Sequence, residues 1–342
     1  MKALQIVERG KPLAQRQIDQ PDPAPGEVLV KVAAAGICRS DVHYRSGTAP
    51  TGPLPLTPGH EIAGVIEAVG PQVAERRLGQ RVCLHYLVTC GHCHYCALGS
   101  EQFCTSGAML GKHIDGGYAE YIAVPEKNAV PLPDEISFEQ GAIIGCSAVT
   151  CLHAIRKSRL TAGESVAVIG VGGLGLSAVQ LARAFGAFEV YAVDISSSKL
   201  KLAAELGAVP VDAGAGDPVA AIMQHTGGRG VDVALELIGL PATLRQAIKS
   251  LAVFGRAMVV GITDQAVEVL PYSDLLMKEA ELMGAADHLL TEMPLLLEMV
   301  RRGVLQLGDV VAKRLPLAAD AVNAELDAIE RFDSEGRAVI IP

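Results

Sequence analysis

Four cysteines restrict this chain more than any other feature: Cys90-Gly-His-Cys93-His-Tyr-Cys96, with Cys104 eight residues further on. Thiols at separations of three, three and eight residues close a tetrahedral shell around one zinc ion. Disulfides are awkward for three thiols crowded into seven residues, and eight cysteines in 342 residues favour metal ligation. The last separation departs from the ferredoxin run, so an iron–sulfur cluster is the poorer choice. Residues 89–106 lack a periodic apolar face and read as a loop held by its metal. Within it, His92 and His94 are unnecessary as ligands and are expected to face solvent. Cys83 and Cys151 fit no zinc set and read as buried, inert thiols.

A chain of this length exceeds one ordinary core, so two domains are expected. Half of the residues are hydrophobic and only 20% are charged, which suits a well-buried globular protein. The net charge of −9 argues against a nucleic-acid partner. Residues 165–182 carry no charge over 18 positions, about the length of a membrane span, but their central glycines divide them into a strand and a separate helix. No secretion signal is read at the start, and a soluble, cytoplasmic chain without a membrane partner is expected.

The first 150 residues read as short strands and turns: Glu27-Val-Leu-Val-Lys-Val alternates with period two, and Pro and Gly punctuate often. That pattern suits a partly open β-barrel with long loops. From about Ser147 the chain alternates strand and helix, the signature of a doubly wound parallel sheet, so the fold class is α/β. Inside this region Gly170-Val-Gly172-Gly173-Leu-Gly175 joins a strand to a helix, and Asp194 ends the next strand 19 residues later. A bare glycine pattern is weak, yet this context places a pyrophosphate against the amides of a helix N-terminus. Asp194 then accepts hydrogen bonds from the adenosine ribose, and its charge repels a 2′-phosphate, so NAD is expected over NADP.

With these residues stand Gly36-Ile-Cys38-Arg39-Ser40-Asp41-Val-His43, Gly59-His60-Glu61 and Cys146-Ser-Ala-Val-Thr150. Over essentially its full length the sequence resembles the zinc-dependent alcohol dehydrogenases of the medium-chain dehydrogenase/reductase (MDR) superfamily. The resemblance implies a GroES-like β-barrel catalytic domain, residues 1–147 and 287–342, interrupted by a Rossmann NAD-binding domain, residues 148–286. It implies two zinc ions per chain. Cys38, His60 and Cys146 would hold the catalytic one, and Cys90, Cys93, Cys96 and Cys104 the structural one. Two thiolates and an imidazole suit zinc and leave a fourth position for substrate oxygen. Glu61 would lie near the metal without being a steady ligand, and Asp41 would hydrogen-bond the ligating imidazole.

The activity implied is reversible NAD-linked oxidation of a primary or secondary alcohol to an aldehyde or ketone, hydride leaving a zinc-stabilised alkoxide. Ser40 and His43 match the family's proton relay. Arg39 and Arg337 match contacts to the pyrophosphate, and Lys199 a contact to the adenosine ribose. Thr150 and Leu174 flank the nicotinamide, and Tyr86 matches a wall of the substrate pocket. A homotetramer is implied, with a dimer as the alternative. Two other readings stay open: a specialised NAD dehydrogenase for a diol, hydroxyketone or aryl alcohol, and a non-catalytic relative that binds nucleotide and zinc.

Overall fold

The computed structural model describes residues 1–307, 311–331, 333–334 and 336–342, the side chain of Arg76 excepted. The chain divides into two units. The first comprises Met1–Val149, Leu289–Gly303 and Leu307–Pro342; the second comprises Thr150–His288 and Val304–Gln306.

The first unit is built on a seven-stranded sheet. Its strands run Val311–Pro316, Arg337–Ile341, Glu27–Gly36, Glu61–Val69, Arg81–Leu84 and Ala129–Pro131, with Tyr121–Pro125 also pairing Glu27–Gly36. The period-two pattern read at Glu27 becomes a ten-residue strand whose buried side packs Val28, Val30 and Val32 against Ile62, Ile66 and Tyr118. The two longest departures from the expectation of strands and turns alone are helical. Arg39–Ser46 is a helix, and residues 138–157 form one helical run, Phe138–Ile143 and Val149–Lys157 with a π turn, Ile144–Ala148, between them. Ser137 and Gln140 form a capping box at its start, a signal present in the sequence and not read. That helical run is long and apolar enough to cross a membrane, and 72% of its 18-residue apolar window is buried inside the protein.

In the second unit six parallel strands form one sheet: Ser165–Ile169, Glu189–Asp194, Val209–Asp212, Val231–Glu236, Leu251–Val259 and Glu281–Gly284. Numbered along the chain, their order across the sheet is 3-2-1-4-5-6, the doubly wound arrangement. The first strand is buried at every position, which explains its apolar run from Val166 to Ile169; the buried Ser165 hydroxyl donates to Asp232. Residues 165–182 divide as expected, the strand ending at Ile169 and the helix Gly173–Ala184 beginning four residues later.

Candidate active site

Gly36 ends one strand and pairs with Glu61, the first residue of the next. A Cβ on Gly36 would lie 2.0 Å from Glu61 Oε2, so only glycine leaves room for that carboxylate. Two residues on, Cys38 caps the helix Arg39–Ser46, and Asp41 in its first turn accepts a hydrogen bond from Cys38 N at 2.9 Å. The same oxygen accepts from the Tyr118 hydroxyl at 2.8 Å, while Asp41 Oδ1 lies 3.3 Å from His60 Nδ1. Asp41 is therefore the buried anchor of the imidazole, as carboxylates commonly are behind a metal-binding histidine. The sequence gives only an indirect sign of Tyr118, through Gly59. Gly59 has φ +94°, and a Cβ there would lie 2.2 Å from a carbon of the Tyr118 ring, so the position admits no side chain.

Cys146 arrives from the π turn, a widened helical turn of the kind often found at functional sites. One donor atom from each of Cys38, His60, Glu61 and Cys146 lies within 4.8 Å of the others. His60 Nε2 is fully enclosed with no hydrogen-bond partner among the described residues. An unpartnered imidazole nitrogen facing two thiols is costly unless a cation fills the space, so these residues fit zinc. Burial disfavours charge on His60, but Asp41 and Cys38 outweigh it and hold its pKa well above the ordinary value. Burial pushes Glu61 up to about 7, against the opposing pull of the Arg337 guanidinium. Glu61 and Arg337 form a buried ion pair in the first unit. Tyr86, 2% exposed, sets its ring edge-on to His60, centroids 5.3 Å apart. Ser40 Oγ lies 3.7 Å from Cys38 Sγ, and His43 follows on the same helix, half-buried.

The second cluster gathers Cys90, Cys93, Cys96 and Cys104, again with donor atoms within 4.8 Å of one another. Amides aim at the sulfurs: Cys93 N reaches Cys90 Sγ at 3.3 Å, and Cys90 N reaches Cys104 Sγ at 3.3 Å. The amides of His92 and Cys93 lower the Cys90 thiol to about 5, the thiolate form a metal needs. The segment is not the irregular loop expected: it contains the short helix His94–Ala97 and the 3-10 turn Glu101–Phe103. Those turns arise because four sulfurs aimed at one point wind the chain around it, a constraint invisible to apolar periodicity. His92 and His94 are exposed, and Cys83 and Cys151 are buried, each thiol pushed up to about 12 by burial.

The nucleotide fingerprint follows the strand Ser165–Ile169. Gly170 has φ +93°, and a Cβ there would lie 2.5 Å from Ile238 Cγ1. At Gly175 a Cβ would meet Gly170 O at 2.0 Å, so the helix seats directly on the turn. Gly172 differs: its φ is −73° and nothing lies within 4 Å of a Cβ. No packing demands glycine there, so the open space is a cradle that fits a pyrophosphate. Asp194 accepts from Val171 N and Ser196 N, both at 2.9 Å, which points its carboxylate at the fingerprint turn. Gly173 and Leu174 open the helix, Cys151 Sγ reaches Leu174 O at 3.1 Å, and Thr150 precedes that cysteine on its helix. Lys199 is half-buried in the helix Ser197–Glu205. Arg39, in the first unit, donates to Ile329 O at 3.4 Å.

Residues 24–134 match the alcohol dehydrogenase GroES-like domain, and residues 173–301 the zinc-binding dehydrogenase domain. An alcohol dehydrogenase of Geobacillus stearothermophilus is 38% identical over 83% of this chain and 84% of its own length. An NAD-dependent alcohol dehydrogenase of Saccharolobus solfataricus is 33% identical over the whole of both. The crystal structure of an NAD-dependent alcohol dehydrogenase superposes with a TM-score of 0.93 at 31% identity, covering 100% of both chains. The chain belongs to the zinc-dependent alcohol dehydrogenases. Membership in this MDR family gives its GroES-like and Rossmann folds, its NAD and zinc cofactors, and its activity, reversible oxidation of an alcohol to an aldehyde or ketone.

Proposed function

We propose the following roles for individual residues in that activity. What carries the reading is the enclosed donor set of Cys38, His60, Glu61 and Cys146, with His60 Nε2 otherwise unpartnered. When bound, zinc supplies Lewis acidity toward an alcohol hydroxyl, and NAD supplies the hydride-accepting nicotinamide. Cys38, His60 and Cys146 hold the metal, and Asp41 fixes the imidazole that faces it. Cys90, Cys93, Cys96 and Cys104 hold the structural ion. Ser40 Oγ takes the substrate's hydroxyl proton. His43 collects it: burial, reinforced by Arg39, lowers its pKa, so the ring is neutral near pH 7 and able to accept. Glu61 stays paired with Arg337 and balances charge beside the cluster. Tyr86 shapes the alcohol's side of the site.

In the second unit Gly170, Gly172, Gly173 and Gly175 admit the pyrophosphate, Asp194 and Lys199 hold the adenosine ribose, and Thr150 and Leu174 flank the nicotinamide. Arg39 and Arg337 serve the pyrophosphate on family resemblance. The first unit is then the catalytic domain and the second the cofactor domain. Small primary and secondary alcohols are the proposed substrates. A homotetramer in the cytoplasm is proposed with them; none of the eight cysteines is in a disulfide, in keeping with a reducing compartment.

The deciding experiment follows NADH formation across aliphatic, aryl and vicinal-diol alcohols, with NADP and a zinc-stripped sample alongside. Zinc-dependent turnover that ranks simple alcohols first supports the reading. A strong preference for the diol would assign the specialised activity instead, and light scattering checks the tetramer.

A further inference from the structure

Glu101 lies within the four-cysteine segment and reaches out of it. It opens the 3-10 turn Glu101–Phe103, five residues after Cys96 and three before Cys104, and Cys104 N donates to its carbonyl at 2.9 Å. Whatever holds the four thiols therefore sets where its side chain starts. That side chain turns inward, with 21% of it exposed. Oε1 accepts a hydrogen bond from Leu290 N at 2.6 Å, beside Leu289 N, which donates to Glu292 at 3.0 Å. The two carboxylates satisfy amides at the entry of the helix Glu292–Arg301, where donors lack helical partners and negative charge is favoured. This helix buries Met293, Leu296 and Leu297 and packs against the π turn Ile144–Ala148, which carries Cys146.

A second arm leaves the same oxygen. Oε1 of Glu101 lies 3.8 Å from Nε2 of His85, a ring that is 2% exposed. His85 stacks on Tyr86, centroids 6.2 Å apart at 19°, and Tyr86 meets His60 edge-on. One carboxylate thus hydrogen-bonds the entry of the helix behind Cys146 and packs, at 3.8 Å, against the ring that stacks on Tyr86. Every residue in both arms lies in the first unit.

We propose that Glu101 is a positioning residue that couples metal loading of the four-cysteine loop to the geometry of the catalytic cluster and its substrate wall. This rests on the loop's being a zinc site. When the loop is loaded, the turn is fixed, Oε1 holds Leu290 N by a hydrogen bond, and the carboxylate packs beside the His85 ring that stacks on Tyr86. When the loop is empty, the turn loosens, and alcohol binding weakens while the fingerprint, which belongs to the second unit, is untouched.

The test combines Glu101→Ala and Glu101→Gln with Cys104→Ser, reading zinc per chain, the KM for alcohol, the KM for NAD, and the visible bands of cobalt placed at the catalytic cluster with the loop kept on zinc. Glu101→Ala is expected to keep two zinc ions and its NAD KM, to raise the alcohol KM roughly three- to tenfold, the range for losing one hydrogen bond of ordinary strength, and to shift the cobalt bands. Glu101→Gln, whose amide oxygen still accepts from Leu290 N, should restore both. Cys104→Ser should raise the alcohol KM of the parent and add nothing once Glu101→Ala is present. Additive effects, or unshifted cobalt bands with an unchanged alcohol KM, overturn the proposal. So does loss of the loop zinc on Glu101→Ala, which would make Glu101 a builder of the loop alone. A parent holding one zinc per chain sinks the loop reading itself, and the coupling with it. Should Cys104→Ser fail to fold, the alanine effect and the glutamine rescue decide alone.

Discussion

At Asp41 a single carboxylate receives the Cys38 amide and the Tyr118 hydroxyl and leaves its other oxygen to His60. A side chain so fully committed fixes one imidazole orientation, and the neighbouring Ser40 shares the same rigid first turn. Ser40→Ala should therefore keep zinc and NADH binding while turnover falls about 100-fold or more, the usual weight of a proton-transfer group; stopped-flow hydride transfer with metal analysis checks it. A second residue-scale expectation concerns stability. Burial would raise the Asp232 pKa, but hydrogen bonds from Arg229 and from the Ser165 amide and hydroxyl outweigh it and hold the group at about 2. A folded pKa below the unfolded value of 3.8 means the contribution is complete above about pH 4 and is lost as pH falls toward 2. Asp232→Asn should flatten that acid limb, and urea unfolding between pH 5 and pH 3 will reveal it.

Turns and helix starts are where this chain carries its chemistry. Two glycines of one fingerprint answer to different forces. Gly175→Ala pushes a methyl to within 2.0 Å of Gly170 O, so it should cost about 1 to 3 kcal/mol of stability through overpacking. Gly172→Ala meets open space and should leave the melting temperature within a degree or two while weakening NADH binding. Calorimetry paired with NADH fluorescence separates the two; equal thermal losses would mean that Gly172 serves packing. The π turn shows how an element can be bent to a purpose: helical on both sides, it swings Cys146 to within reach of Cys38 and His60.

Across the whole molecule, the two clusters proposed to hold zinc lie in one unit and the glycine fingerprint in the other. Cofactor choice can then change without disturbing the metal. Asp194→Ser removes the carboxylate fixed by Val171 N and Ser196 N, so kcat/KM with NADP should rise relative to NAD at constant zinc content. An unchanged ratio would show that other groups set the preference.

Local chemistry could be read without a structure wherever nearby residues act together. The four thiols and the glycine run with Asp194 are each contained in a short stretch, and spacing limits what they can do; the roles of Ser40 and Asp41 come from the family resemblance. The parallel sheet was legible from the regular alternation of strand and helix after Ser147. Tyr118, Arg337 and Glu101 were different. Tyr118 reaches Asp41 across 77 residues, Arg337 reaches Glu61 across 276, and Glu101 reaches Leu290 across 189. No periodicity records a contact between segments that far apart. Only the folded sheet, which lays the strand Arg337–Ile341 beside Glu27–Gly36 and that strand beside Glu61–Val69, decides which charges meet.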